Sequence, residues 1–539
     1  MKLKRLIAPV LSLSLLIPAF SGAASVSAAE PLTPSSETPA VELRSTLDYS
    51  LSEHFTLAVD AMIKKYDNSF DAAAAQAALE KNAKDMIPAI TSVYGDAGAK
   101  EFDRIFSGHL NYTKDYVTAV KTGNAADKAM VAQEIEEFAV ELGNFLGTAT
   151  AGKLPATAAQ NVLRTHEKQV QQVFDYYIAG NYKSSLAKYR EGLSYMFTIS
   201  DALSGAIVTQ MPEKFNGTKS DTPAGDLRSA LNYLAAEHYA LAVFSMQKGS
   251  DKSPAYSAII EAENANTSGL TAAIASVYGA AGGDAFKAIW LGDHINAQDE
   301  IVKAALAGDA DASAKARAKL SKFSVDFGNF LGAATEGKLP ASAATAAVAE
   351  HERLVLEAFD LYRAKDANGL YVSYDKGYSL MFGVGKALSG AIVAQKPELF
   401  KVQPPVTKPE NPNNVQTIWL QINGYTAKVN GNHVKMDVPP TLKNGTTFVS
   451  LRALTTALGA DLKWNPSTST VEVKVGDDKV VFWLGKDMAS INGKNVKLDA
   501  SVFVHKGRTQ VPLRFIAELL GWDLNWNKAD WSIVLTKAM

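Results

Sequence analysis

The hydrophobic positions of residues 41–400 recur every three to four residues, which is the spacing of amphipathic helices. In the first half of this region the pattern predicts six helices, divided by breaks that contain Gly, Asn or Pro, over residues 42–66, 71–93, 97–121, 125–150, 156–179 and 182–210. Six helices of this length can enclose an apolar core. The pattern therefore predicts a helical bundle.

The same pattern then occurs a second time. Leu43 to Phe215 and Leu227 to Phe400 are two copies of one unit, in which GNFLG at 143–147 returns at 328–332 and LSGAIV at 203–208 returns at 388–393. A repeat of this length indicates a duplicated domain. We expect two tandem all-α bundles, at residues 41–215 and 227–400.

After residue 414 the pattern changes to short runs rich in Val, Ile and Trp, separated by turn signals such as Asn430-Gly431 and Asn492-Gly493. Such runs are typical of strands joined in hairpins. Two helical stretches, 451–458 and 513–520, interrupt them. The region also repeats internally, so we expect a duplicated, strand-rich α+β module over 415–539, and the fold class as a whole is multidomain.

The remaining segments are polar or specialised. Residues 1–29 have a basic start, an apolar stretch and small residues before the end, which is the composition of a secretory signal peptide. Linkers are expected at 30–40, 216–226 and 401–414, the last of them rich in Pro and Asn. The expected localisation is secreted or extracellular, with association to the cell wall as a further expectation.

Composition limits the kinds of metal site and partner that the protein can have. The chain has 539 residues, no Cys and a formal net charge of -2, so disulfides are excluded, and a metal would need His, Asp, Glu or Met as ligands. There is no basic stripe, which excludes nucleic acid as an expected partner. No segment after the signal peptide is long and apolar enough to predict a membrane span, and the oligomeric state is left open.

The C-terminal module carries spaced motifs twice. The second set is Val511 to Ile516 (VPLRFI), Leu520-Gly521 and Trp526-Asn527, and the weaker first set is 449–452 (VSLR), 458–460 (LGA) and 464–465 (WN). This constellation resembles the copper amine oxidase N-terminal-like domain of secreted bacterial proteins, over about 415–539. The resemblance implies a non-catalytic stalk or accessory module on an envelope protein. Amine oxidase activity is not expected, because the catalytic domain of those enzymes carries an Asn-Tyr-Asp/Glu motif, whereas Asn111-Tyr112 here is followed by Thr113 in a helical region.

Six of the eight histidines occupy three positions that are present in both helical units. Each lies in an apolar series at helical spacing and is expected to face inward. Four glutamates stand directly beside histidines, while the methionines Met196 and Met381 on the last helices are more typical of core residues. The candidate metal ligands are His54, His109, His166, Glu53 and Glu167 in the first unit, and His238, His294, His351, Glu237 and Glu352 in the second.

Two interpretations of these histidines remain. Three buried imidazoles from different helices can share a transition metal ion, such as iron, zinc or copper, with a carboxylate as a fourth ligand. If so, their nitrogens should lie within about 4–5 Å of one another. Alternatively, each histidine is a core residue bonded to a nearby carboxylate or carbonyl on its own.

The motifs of known enzymes are absent from the sequence. There is no His-Glu-x-x-His pair, no nucleophile motif and no phosphate-binding loop. Glu53 and Glu167 are expected to be solvated neighbours rather than an acid–base pair. We therefore expect a non-enzymatic envelope protein that binds metal, with wall polymer or another envelope component as its partner. A structural or adhesive protein without metal is the first alternative, and a metal-dependent enzyme is the second.

Overall fold

The structure is a computed structural model of the full chain, and it describes the helical part without a gap and most of the C-terminal module. The predicted signal peptide and nearly all of the third linker lie outside the described residues, which are 33–401, 415–422, 426–436, 438–443, 446–452, 461–475, 478–498, 500–505, 507–519, 521–527 and 532–538.

The first repeat is the predicted bundle of six helical segments. Side-chain caps on Thr38, Asn124 and Asn181 accept hydrogen bonds from the first free N–H groups of their helices, which fixes where these helices start. The helices are α1 (Pro39–Asp67), α2 (Ala72–His109), α3 (Asn111–Thr122), α4 (Ala125–Ala149), α5 (Ala156–Ile178) and α6 (Tyr182–Gln210). A non-helical Gly95 divides α2 in two, as the predicted break between 93 and 97 requires.

One predicted helix is not continuous. The stretch predicted over 97–121 is split at Leu110, so that His109 is the last residue of α2 and α3 begins at Asn111. The discontinuity lies beside the candidate ligand His109, and the spacing of the apolar residues does not indicate it.

The second repeat follows the first helix by helix. Its helices are α7 (Pro223–Ser250), α8 (Tyr256–Trp290), α9 (Asn296–Ala307), α10 (Ala310–Ala334), α11 (Ala341–Arg363) and α12 (Ala367–Gln395). Helix α7 begins inside the predicted 216–226 linker, because Thr222 caps it and Pro223 supplies a favourable first residue. Short 3₁₀ turns at Pro212–Phe215 and Pro397–Phe400 end the two repeats.

A π-helical turn distinguishes the second repeat from the first. His109 follows Phe106 by three positions, whereas His294 follows the equivalent Trp290 by four. The extra residue is taken up by the π turn Leu291–Ile295, which lets His294 keep its inward direction. Single π turns of this kind are frequent at functional sites.

The two repeats pack against each other on a shared apolar core. One continuous cluster of buried side chains contains residues of both, including Phe55, Tyr189, Tyr239 and Tyr374. The contacts are reciprocal at the repeat ends. Arg44 bonds to Asp226 at 2.6 Å and to the Ser220 carbonyl, and its equivalent Arg228 bonds to Glu42 at 2.9 Å and to the Ser36 carbonyl.

The C-terminal module is built from antiparallel strands, as predicted. Its strands are β1 (Val415–Gln421), β2 (Thr426–Val429), β3 (Asn432–Lys435), β4 (Thr441–Lys443), β5 (Thr446–Ser450), β6 (Asp461–Asn465), β7 (Thr470–Val475), β8 (Asp478–Trp483), β9 (Met488–Ile491), β10 (Lys494–Lys497), β11 (Phe503–His505), β12 (Arg508–Pro512), β13 (Asp523–Asn527) and β14 (Ser532–Ala538). One helix, α13 (Leu513–Leu519), follows β12. Leu451 and Arg452 are helical, and the rest of the other predicted helix lies outside the described residues.

The sheets show why the two halves of the module depend on each other. The strand orders are β13-β14-β1-β2-β3, β10-β9-β8-β7-β6 and β11-β12-β5-β4. The first strand thus pairs with the last, and β5 of one half pairs with β12 of the other. The predicted hairpin turns Asn430-Gly431 and Asn492-Gly493 have positive φ at all four residues, as two-residue type I′ turns require.

Among the described residues, one helix is long and apolar enough to cross a membrane when judged by length and composition alone. This helix is α12, and half of its most apolar stretch is buried inside the protein. The core helix of a bundle has the same composition.

Candidate metal centre

Each repeat brings its three histidines together from three different helical segments. His54 comes from the middle of α1, His109 from the end of α2 and His166 from the middle of α5. In each set of three, one nitrogen per ring can be chosen so that all three atoms lie within 4.8 Å of one another. The geometric expectation of the sequence is confirmed for His54, His109 and His166, and equally for His238, His294 and His351.

All six rings are buried, with between 0% and 6% of each residue exposed. Aromatic side chains surround them. His109 stacks on Phe138 with ring centroids 4.2 Å apart, and His294 stacks on the equivalent Phe323 at 4.6 Å. At equivalent positions of the two repeats, the ring of Phe106 packs at a tilt against His54 and the ring of Trp290 packs at a tilt against His238. The centres therefore lie in a dry environment, where an unpaired polar atom is costly.

One carboxylate joins each set of histidines. Nε2 of His109 lies 2.9 Å from Oε1 of Glu167, and Nδ1 of His294 lies 2.7 Å from Oε1 of Glu352. Neither glutamate oxygen has a hydrogen-bond partner, and the contact in the second repeat leaves Nδ1 of His294 without one as well. In the second repeat Glu352 faces Nδ1 of His294, while Nε2 of the same ring faces His238.

The ring nitrogens are short of partners throughout. Seven of the twelve lack a hydrogen bond of good geometry, although Asn82 interacts with the His54 ring. An unsatisfied buried polar atom costs on the order of 1–3 kcal/mol, and a bound metal ion that accepts the nitrogen lone pairs would remove part of this cost.

The spacing suits a metal ion. Ligand atoms about 2.0–2.1 Å from one ion lie about 3.3 Å apart when the ligands are tetrahedral. Nε2 of His238 and Nε2 of His294 are 3.0 Å apart, close to this spacing. The three histidines of each repeat therefore fit a transition metal ion with three nitrogen ligands. In the second repeat Glu352 contacts Nδ1 of His294, the ring nitrogen that does not face His238.

Burial favours the neutral form, which binds metal, in four of the six imidazoles. Burial lowers the pKa of His54 and of His238 well below the usual value, and the neighbouring histidines lower it further. Burial also lowers the pKa of His166, and that of His351 to about 4, although the adjacent glutamates oppose the change. Burial alone would raise the pKa of Glu167, but His109 and His166 hold it below its ordinary value, which keeps the carboxylate charged.

The other two candidate glutamates have different partners. Glu53 accepts a hydrogen bond from Asn82 at 2.8 Å, and burial together with Asp375 raises the pKa of Glu53 to about 8. Glu237 bonds to Arg190 through both oxygens, and also to Tyr233 and Asn266. Each of these glutamates points away from the histidines, across the contact between the repeats.

Two expectations about side chains need correction or addition. Glu53 and Glu167, expected to be solvated, are buried, because the contact between the repeats covers the first and the aromatic shell covers the second.

Met196 and Met381 pack in the apolar core, as expected. The stacking rings of Phe138 and Phe323, and the amides of Asn82 and Asn266, were not among the predicted site residues. Their signal was present, since each pair occupies one position in both repeats.

Comparison with known proteins finds a match for the C-terminal module. No curated protein and no solved structure matches the chain. The family model described as copper amine oxidase N-terminal domain matches residues 417–535. The C-terminal module is therefore similar to this family, as its duplicated Leu-Arg, Leu-Gly and Trp-Asn motifs predict.

Proposed function

We propose that this protein is an exported, envelope-associated metal-binding protein in which each helical repeat holds one transition metal ion. In the first repeat the ligands are His54, His109 and His166, with Glu167 beside His109, and in the second they are His238, His294 and His351, with Glu352 beside Nδ1 of His294. The observation that carries the proposal is the convergence of three buried histidines, once in each repeat.

The ligand set restricts the metal. Imidazole nitrogen suits iron, zinc, copper and nickel, while carboxylate oxygen broadens the set toward harder ions. The chain has no Cys, so sites that depend on thiolate are excluded. Iron, zinc and copper are the ions we expect to bind, and each would be held through imidazole nitrogens.

A non-catalytic role agrees with the burial of the centres. A catalytic metal keeps an open coordination position that substrate reaches from solvent. Here at least 94% of each histidine is covered, and aromatic rings close the centres from the side of α4 and α10. Export is supported by the composition of residues 1–29 and by the similarity of the C-terminal module to an accessory domain.

The test is the metal content of the purified mature protein after reconstitution with each candidate ion and removal of the excess. We expect two ions per chain in the parent, one in His166→Ala or His351→Ala, and none in the double variant. His433→Ala is the matched control, because His433 is an exposed histidine of β3 that belongs to neither set. A parent that binds no ion, or variants that keep both, would favour the alternative of a structural or adhesive protein with core histidines.

A further inference from the structure

A lysine and an aspartate are buried together where the turn between α1 and α2 meets the second repeat. Lys64 lies in the last turn of α1, and Asp71 is the N-cap residue of α2. Nζ of Lys64 donates a hydrogen bond to Oδ2 of Asp71 at 2.6 Å, and the two side chains are 3% and 0% exposed. The contact holds an amine directly against a carboxyl group, away from solvent.

The surroundings fix both side chains in place. Nζ of Lys64 also donates to Oε1 of Gln247 at 2.8 Å and lies 4.7 Å from the centre of the Tyr362 ring. Oδ1 of Asp71 accepts a hydrogen bond from the Ser69 hydroxyl. Gln247 and Tyr362 are themselves buried and belong to the second repeat. Packing of the two repeats thus orients the amine and the carboxyl group, and fixed orientation lowers the entropic part of a reaction barrier.

A second carboxyl group lies beside the pair. Asp60 precedes Lys64 by four residues on α1, so the two side chains share a face of the helix. Asp60 is 8% exposed and accepts a hydrogen bond from the hydroxyl of Tyr371. Burial raises the pKa of Asp60 and the nearby Asp71 adds to the shift, although Lys64 opposes it. A carboxyl group of this kind can hold a proton and pass it to a leaving group.

The second repeat shows that the shared fold does not require this arrangement. Lys248 is the equivalent of Lys64, and Phe244 and Ala255 stand at the positions of the two carboxyl groups. The side chain of Lys248 is 15% exposed and forms an ion pair with Asp67 at 3.0 Å. A fully buried ion pair costs desolvation free energy that its attraction often does not recover. The first repeat therefore adds two buried carboxyl groups that the same fold does without.

We propose that Lys64 and Asp71 join in an intramolecular isopeptide bond, with Asp60 as the group that relays protons. A bond forms between Nζ and Cγ, and the bond between Cγ and one carboxyl oxygen breaks. The ammonium group and the carboxylate become one neutral amide and one water molecule. Both hydrogens of this water come from the ammonium group through Asp60, which ends in the state in which it began. No oxidant, reductant or further reactant is needed.

The dry surroundings favour the product. A neutral amide replaces two charges, and it costs less free energy to bury. Oε1 of Gln247, which already accepts from Nζ, is in place to accept from the amide N–H. The bond closes the turn between α1 and α2 covalently in a chain that has no Cys for a disulfide. The inference stands apart from the metal centres and does not need them.

The experiment is mass spectrometry of the denatured, full-length mature protein. We expect the parent to be lighter than its sequence by the mass of one water molecule. Trypsin should cut after Lys65 but not after Lys64, and the two peptides on either side of the cut should stay joined through Lys64 and Asp71. Lys248→Arg is the matched control and should keep the loss, because the equivalent lysine has no buried carboxyl group beside it.

Two variants test the roles of the residues, with circular dichroism to show that each is folded. Lys64→Arg keeps the positive charge but has no amine, and should have the full mass of its sequence. Asp60→Asn keeps an acceptor for the Tyr371 hydroxyl and should leave most chains at full mass.

A folded parent at the full mass of its sequence overturns the proposal. So does a loss of water confined to Asp71 without a link to Lys64, since that is closure of the aspartate on its own backbone. A complete loss in Asp60→Asn overturns the role given to Asp60.

Discussion

The buried His351 should make the stability of the metal-free protein depend on pH. In the folded chain burial lowers the pKa of His351 to about 4, while the ordinary value is 6.5. The groups that face it are Glu352, which partly opposes the shift, and His294 and His238. Because the unfolded chain takes up a proton at higher pH than the folded chain does, the stabilising contribution is complete above pH 6.5. It is lost as pH falls from 6.5 toward 4.

The size of the effect follows from the shift. Each pKa unit corresponds to 1.36 kcal/mol, so the full difference is about 3 kcal/mol, and about 2–3 kcal/mol of it should be lost between pH 7 and pH 4.5. His351→Leu removes the titrating group and keeps an apolar side chain in the core. The variant should therefore lose about 2–3 kcal/mol less than the parent over this interval.

Urea unfolding of the helical repeats, followed by far-ultraviolet circular dichroism in the presence of a chelator, measures this difference. His433→Leu serves as the control, since His433 is exposed and should leave the pH dependence as it is in the parent. Equal losses of unfolding free energy in the parent and in His351→Leu would refute the reasoning, because His351 would then titrate alike in the folded and unfolded chains.

Two further predictions concern packing and domain structure. A Cβ atom on Gly192 would lie 2.2 Å from the Phe55 ring, whereas one on Gly205 of the same helix meets nothing within 4 Å. Gly205→Ala should thus raise the unfolding free energy by about 0.5–1 kcal/mol. Gly192→Ala should lower it by up to about 2 kcal/mol through overpacking. Equal effects of the two variants in urea unfolding would contradict the close approach of Gly192 to Phe55. Limited proteolysis should cut first within 401–414 and leave two resistant fragments, and a first cut inside 43–215 would contradict the division into domains.

The helices and the burial of the histidines follow from the sequence because both depend on local spacing. The repeated apolar series placed helix ends within a few residues of those observed and turned His54, His109 and His166 inward. Spacing could not give the split at Leu110 or the π turn before Asn296. A break of this kind leaves the faces on either side almost unchanged, so the pattern of apolar residues continues across it.

The contacts of the four candidate glutamates could not be predicted from either repeat alone. Glu167 and Glu352 point to the histidines, whereas Glu53 and Glu237 point to the other repeat. The second pair differs from the first by its neighbours in the other repeat: Asp375 lies near Glu53, and Arg190 forms an ion pair with Glu237. Both partners come from helices far along the chain, and no helical periodicity reports a contact between two bundles.

The reciprocal contacts of Arg44 and Arg228 have a consequence for how the chain is built. In a symmetric dimer, a residue of one subunit meets a patch on its partner, and the partner's copy of that residue returns the contact. Arg44 and Arg228 meet this description within one polypeptide. The tandem repeats thus have the arrangement of a dimer within one polypeptide. A chain with a single repeat should bury the same apolar face by association with a second copy of itself. The two halves of this intramolecular pair are not identical, because Arg190 of the first repeat and Asp375 of the second occupy corresponding positions.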